Sequence, residues 1–266
     1  MPYATTSDGV RLYYEETGKG TPIVFVHEFS GDFRSWEAQM QYFSRRHRCI
    51  AFNARGYPPS DVPERVSGYS PRKAVDDIAE VMRHLKIRKA HIVGCSMGAQ
   101  STLHFGLTYP RMAMTLTAVG AGSGSYATRA EQQRAATTNA QRYEEEGLAG
   151  MLARVGKAPN RILLKRKNPR AWDDFAKRFM EHSALGCANI QRSVQAKRAP
   201  LTSLGREFAA LKVPTHLVVG DEDTGAIEPS LFIKRNCAAA TGHLVNAEEP
   251  ELFNRLTEKF FEDVGA

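Results

Sequence analysis

A tight turn of small residues between an apolar run and a helical pattern constrains this chain more than any other feature. Ala90-His91-Ile92-Val93 reads as a short buried strand, Gly94-Cys95-Ser96-Met97-Gly98 as the turn, and Ala99 to Leu107 as a helix stopped before Pro110. A strand feeding a helix this directly fits a sheet covered by helices, and a bulky residue at 94 or 98 would collide with its neighbours. The pattern G-x-S-x-G is that of a turn that projects a serine hydroxyl from a strand end. It leaves the next backbone N–H, that of Met97, free at a helix N-terminus. By itself the pattern is common, and a Gly/Ser turn without chemistry accounts for it equally well.

The rest of the chain supplies the context. Residues 2–18 read as a β-hairpin, Pro22 to Val26 as a strand buried on both faces, Trp36 to Phe43 as a short helix and Arg48 to Phe52 as the next strand. Asn53 to Gly68 is a Pro/Gly-rich loop, and Ser70-Pro71 starts a helix with Val75, Ile78, Ala79, Met82 and Leu85 on one face. Thr115 to Val119 is a strand. From about Ser125 to Gly205 the periodicity is helical, with Trp172, Phe175, Phe179 and Met180 forming one packing stripe. Strand character resumes at Thr215 to Val219, and the chain ends in a helix from about Pro250 to Phe261. Strands alternating with helices, interrupted by an all-helical block, predict an α/β fold: a mostly parallel central sheet with an inserted helical cap. The boundaries follow as a core of residues 1–122 and 206–266 and a cap of residues 123–205.

Composition excludes several classes. The 266 residues are 42% hydrophobic and 24% charged, ordinary for a globular protein. No apolar stretch approaches the ~18 residues of a membrane span, and the start lacks a secretory signal. The four cysteines, Cys49, Cys95, Cys187 and Cys237, show no metal spacing. Free thiols and a cytoplasmic location are therefore expected. No dinucleotide fingerprint, phosphate loop or metal cluster is present, so neither cofactor nor metal is expected. The net charge of +7 is uneven: residues 123–206 hold sixteen Lys/Arg against seven Asp/Glu, the remainder twenty against twenty-two. The dense run Arg161, Lys165, Arg166, Lys167 and Arg170 reads as a solvated helix face. Aromatics are not interleaved with it, which argues against nucleic acid, while steering of an anionic substrate is the weaker alternative.

A serine becomes a nucleophile when a histidine removes its proton and a carboxylate orients that histidine. In such sheets the chain order is Ser, acid, His. Gly220-Asp221-Glu222-Asp223 follows a strand, and Thr241-Gly242-His243 precedes the last helix. His182 comes before the acid within a helix, and His27 sits at a strand end in the wrong order; both read as structural.

Five segments in family order resemble the α/β-hydrolase fold superfamily, in its single-chain, helical-capped, esterase-like members, along nearly the whole chain. They are Val24 to Phe29, Asn53 to Ser60, Gly94 to Gly98, Gly220 to Asp223, and Thr241 to His243 with Asn246 to Pro250. The resemblance implies Ser96 as nucleophile, Asp223 rather than Asp221 or Glu222 as the acid, and His243 as the base. It also implies an oxyanion hole from the N–H groups of Phe29 and Met97, with Ser30 as the alternative to Phe29. Two departures stand out. Glu28 replaces a common glycine, and its carboxylate is expected to turn toward a basic neighbour or solvent. Between a helix at about Pro229–Arg235 and His243 only residues 236–242 remain, which predicts a much shortened last strand or a break in the chain.

The implied activity is hydrolysis of a small carboxylic ester or related acyl compound, a small-molecule substrate that a cleft-facing basic cap would make anionic. A carbon–carbon bond hydrolase of the meta-cleavage-product type is the first alternative; it usually has Asn before the serine and Trp after the histidine, where this chain has Cys95 and Leu244. The second alternative is a ligand-binding receptor with vestigial turnover. Oligomeric state is not legible in the sequence.

Overall fold

The computed structural model describes residues 2–122, 128–238, 240–242 and 250–265. The strands are β1 (Tyr3–Thr5), β2 (Arg11–Thr17), β3 (Thr21–Val26), β4 (His47–Phe52), β5 (Ala90–Cys95), β6 (Ala113–Val119), β7 (Thr215–Val218) and β8 (Ala240–Gly242). Among the described residues they form one sheet in the order β1-β2-β4-β3-β5-β6-β7-β8. The hairpin β1–β2 is antiparallel and β2 joins β4 antiparallel; every other pairing is parallel.

Six of the described α-helices belong to this sheet or its margins: α1 (Glu37–Phe43), α2 (Pro71–His84) and α3 (Met97–Thr108) before β6, and three more after the central block. That block comprises α4 (Arg129–Glu145), α5 (Gly147–Val155), α6 (Pro159–Lys167), α7 (Pro169–Phe179) and α8 (Ala184–Ile190), all between β6 and β7. After it come α9 (Gly205–Ala210), α10 (Thr224–Asn236) and α11 (Pro250–Asp263). Ser70 caps α2 by accepting the Lys73 N–H, with Pro71 at the first helical position, where its missing N–H costs nothing.

Alternation along β3 explains why helices cover both faces. Val24 and Val26 pack with Ile78, Met82 and Leu103 from α2 and α3, whereas Ile23 and Phe25 pack with Trp36, Phe43, Phe253 and Phe261. Each such side chain, fully buried, contributes ~1.5–3 kcal/mol. Register aligns the C-terminal strand ends, pairing Val26 with Gly94, Cys95 with Val119, and Val119 with Val218. The loops that follow therefore open on one edge. Because β4 and β5 lie on opposite sides of β3, the chain changes direction there, the place where open α/β sheets form ligand crevices.

The helical block is fastened over that edge. Arg178 donates to Arg34 O (2.9 Å), Asn189 to Glu64 O (3.1 Å) and Ser193 to Val66 O (3.0 Å). Two details differ from the sequence-based expectations and a third agrees with them. Met180 leaves the aromatic stripe: Trp172 and Phe179 are buried, but Met180 follows the last turn of α7 and is exposed. The helix expected from Pro229 begins at Thr224, with Pro229 inside it and its ring against Gly122, where a Cβ would sit 2.2 Å away. The last strand is short, as expected, at three residues.

Candidate active site

Ser96 lies between β5 and α3 with φ 50° and ψ −109°. A positive φ is rare outside glycine and costs on the order of 1–3 kcal/mol, so surrounding contacts must hold it. Its N–H donates to Val119 O (2.8 Å), and its carbonyl accepts the Gln100 N–H (3.1 Å). The glycine shoulders permit the close packing. A Cβ at Gly94 would lie 2.3 Å from Gly98 O, and one at Gly98 would lie 2.2 Å from Val26 O. The start of α3 thus rests directly on the end of β3.

That contact brings the N-terminus of α3 beside the turn after β3. The Met97 N–H opens a helix and has no intrahelical acceptor. Among the described residues the Phe29 N–H likewise has no backbone acceptor. Phe29 is held by its carbonyl, which accepts from Tyr57 Oη (2.7 Å), and by edge contact with the Tyr143 ring. His27 clamps the same turn: Nδ1 donates to Glu28 O (2.6 Å) and Nε2 accepts the Ala54 N–H (3.0 Å). Burial lowers its pKa to about 4, so it is neutral at physiological pH with both nitrogens engaged. His182 is also buried and lowered to about 4, by burial first, with its ring against Tyr57.

Asp223 precedes α10, but its side chain makes no cap hydrogen bond. The carboxylate instead reaches toward the end of β6: a Cβ at Gly120 would lie 3.1 Å from its Oδ2. Burial raises its pKa and the charge of Arg161 opposes that rise. Burial, with a smaller contribution from Asp223, pushes the neighbouring Cys95 thiol to about 12. Asp221 and Glu222 are exposed. His243 lies outside the described residues.

A cavity of about 400 Å³ opens above Ser96, lined by Glu28, Phe29 and Ser30 from the sheet side and by Gln132, Arg161 and Arg198 among others from the helical block. Ser96 and Phe29 therefore share one space. Glu28 pairs with Arg161, the basic neighbour expected of it. The sequence did not single out Arg161 as a site residue; it was one of five cations in a run, and the other four are exposed. Nothing in the local pattern separates it from them, because its role depends on how α6 is placed. Among the described residues no group of three His, Cys, Asp or Glu is arranged to hold a metal ion, and no helix is long and apolar enough to cross a membrane.

Residues 21–226 match the family model for the alpha/beta hydrolase fold. The chain belongs to this family. A Bacillus subtilis (strain 168) member that provisionally carries the name 2-succinyl-6-hydroxy-2,4-cyclohexadiene-1-carboxylate synthase is 27% identical over 277 residues, covering 98% of each chain. Among solved structures, the enol-lactonase from Burkholderia xenovorans LB400 has a TM-score of 0.85 at 19% identity, covering 98% of this chain and 100% of its own. A thermophilic esterase from Thermogutta terrifontis, solved with malate bound, has a TM-score of 0.84 at 23% identity over 100% of this chain and 99% of its own. The two structural likenesses establish the shared fold.

Proposed function

We propose that this α/β hydrolase is a serine hydrolase that cleaves a small carboxylic ester or related acyl compound through an acyl-enzyme. One observation carries the reading: a non-glycine residue held at positive φ, with a hydroxyl, at a strand end that opens onto a cavity. Such strain persists only where neighbouring structure over-determines it, and it concentrates at working sites.

Ser96 Oγ attacks the substrate carbonyl while His243 takes its proton. His243 then returns that proton to the leaving alkoxide, and water enters by the same base to release the acid. Asp223 orients the imidazole; its carboxylate, unused as a helix cap, is available for that task. The Phe29 and Met97 N–H groups receive the oxyanion, each worth ~3 kcal/mol of transition-state stabilisation. Residues 123–205 act as the cap that forms the acyl pocket over a core of residues 1–122 and 206–266.

Turnover of p-nitrophenyl butyrate by the wild type and by Ser96→Ala tests the assignment. The variant is expected to lose about 10⁴-fold or more in kcat, together with labelling by a fluorophosphonate. Retained turnover in Ser96→Ala would sink the assignment, and stoichiometric labelling of the wild type without steady turnover would point to a ligand receptor instead.

A further inference from the structure

Glu28 lies in the turn after β3, immediately before the proposed oxyanion donor Phe29. Its carboxylate meets the guanidinium of Arg161, 133 positions away on α6. The two side chains are mostly buried, 13% and 19% exposed, and both line the cavity over Ser96. The Phe175 ring centroid lies 5.2 Å from the Arg161 guanidinium carbon, which steadies the cation by a cation–π contact. Burial lowers Arg161 to about 10 while Asp223 draws it upward, so it stays charged at neutral pH. A guanidinium offers five N–H donors in a fork that matches a carboxylate. Among the described residues Arg161 engages a single side-chain acceptor, Glu28 Oε2.

We infer that Arg161 anchors a carboxylate carried on the acyl part of the substrate, and that Glu28 occupies this anchor until such a substrate displaces it. The inference rests on the serine-hydrolase reading of Ser96 and names its substrate class: esters or lactones whose acyl chain ends in a carboxylate. Cavity size agrees, since 400 Å³ suits a small acyl group. Glu28 precedes Phe29 directly, so a change of partner at position 28 is transmitted to the turn that carries the oxyanion donor. A neutral acyl chain leaves the Glu28–Arg161 pair closed.

Two measurements on the full-length protein test this. The first is the ratio of kcat/KM for mono-p-nitrophenyl glutarate to that for p-nitrophenyl butyrate. Arg161→Gln is expected to lower the ratio about tenfold or more, chiefly through KM, with partial rescue by Arg161→Lys. The second is glutarate binding by calorimetry. It is expected to vanish in Arg161→Gln and to tighten several-fold in Glu28→Gln, where the internal competitor is gone. A purely structural pair predicts the opposite sign for Glu28→Gln. An unchanged ratio in Arg161→Gln, or glutarate binding weakened by Glu28→Gln, overturns the inference. If neither ester is turned over, the serine-hydrolase reading fails, while glutarate binding still decides the anchor.

Discussion

Two buried arginines each bridge a carboxylate from a distant segment, and they differ in what completes their coordination. Arg55, in the loop after β4, donates through Nε and Nη2 to Asp77 (2.8 and 2.6 Å) and through Nη1 and Nη2 to Asp8 (2.8 and 3.0 Å). Its remaining donor reaches Gly68 O at 2.7 Å. All five N–H groups are used, and the side chain is 5% exposed. Among the described residues Arg161 forms an ion pair with one carboxylate, that of Glu28, and lines a cavity. The same ion-pair chemistry therefore serves two ends. Where every donor is satisfied by protein, the pair locks a loop to a helix and a hairpin. Where donors face a cavity, a ligand carboxylate can exchange for the protein's own.

The largest expected effect breaks the first member of that comparison. Arg55→Met leaves the buried Asp77 without its cation, while Asp8 keeps only Lys73 (2.8 Å), and should cost ~3–5 kcal/mol of stability, measured as a fall in urea midpoint. A loss no larger than that of Arg161→Gln would place Arg55 in the same exchangeable class as Arg161.

A second, intermediate effect is pH-dependent and spans both regions. Burial lowers His27 and His182 to about 4 and His91 to about 3, from an ordinary value near 6.5. The unfolded chain binds protons below about pH 6.5 that the folded chain refuses until about pH 4. Stability from these groups is therefore full above pH 6.5 and declines as pH falls toward 4, by on the order of 2 kcal/mol for each histidine. Urea midpoints at pH 7, 5.5 and 4.5 should show the decline, and His91→Phe and His182→Phe should each flatten it. Equal midpoints across that range would mean that the rings accept protons without unfolding.

The smallest effect sharpens the comparison. Arg161→Gln should cost less stability than Arg55→Met, ~1–3 kcal/mol, because its pair borders a cavity that water can enter. A loss as large as that of Arg55→Met would make the Glu28–Arg161 pair a structural lock.

Legibility in the sequence followed locality. The turn at Ser96 was readable because strand, small shoulders and helix are contiguous, and steric contacts at Gly94 and Gly98 bear out the need for glycine. The continuous apolar run Ile23, Val24, Phe25 and Val26 announced a strand buried on both faces, as the two apolar clusters show. His27 was recognisable as structural because it precedes the serine, the wrong order for the base; its partners Glu28 O and Ala54 N supply its structural task. Arg161 was not distinguishable, since a cation in a basic run carries no mark of the direction it faces. The direction in which the cap's excess positive charge faces likewise could not be inferred from a count. Arg154 pairs with Glu146 and Arg192 with Glu144 within the cap, and Arg178 reaches Glu37 on α1, so part of the cap's charge is paired away from the cavity.

Chain order and local pattern alone determined the sheet, the strained serine and the acid-bearing loop after β7, because these depend on neighbours a few residues apart. Tertiary structure decided what faces the serine. Gly98 against Val26 O, Asp223 against Gly120, and Arg161 against Glu28 are contacts between segments that only the folded sheet and the helices above it bring together. Hydrophobic periodicity specifies which face of an element is buried. The identity of the side chain across the resulting gap depends on crossing geometry, which no single element encodes.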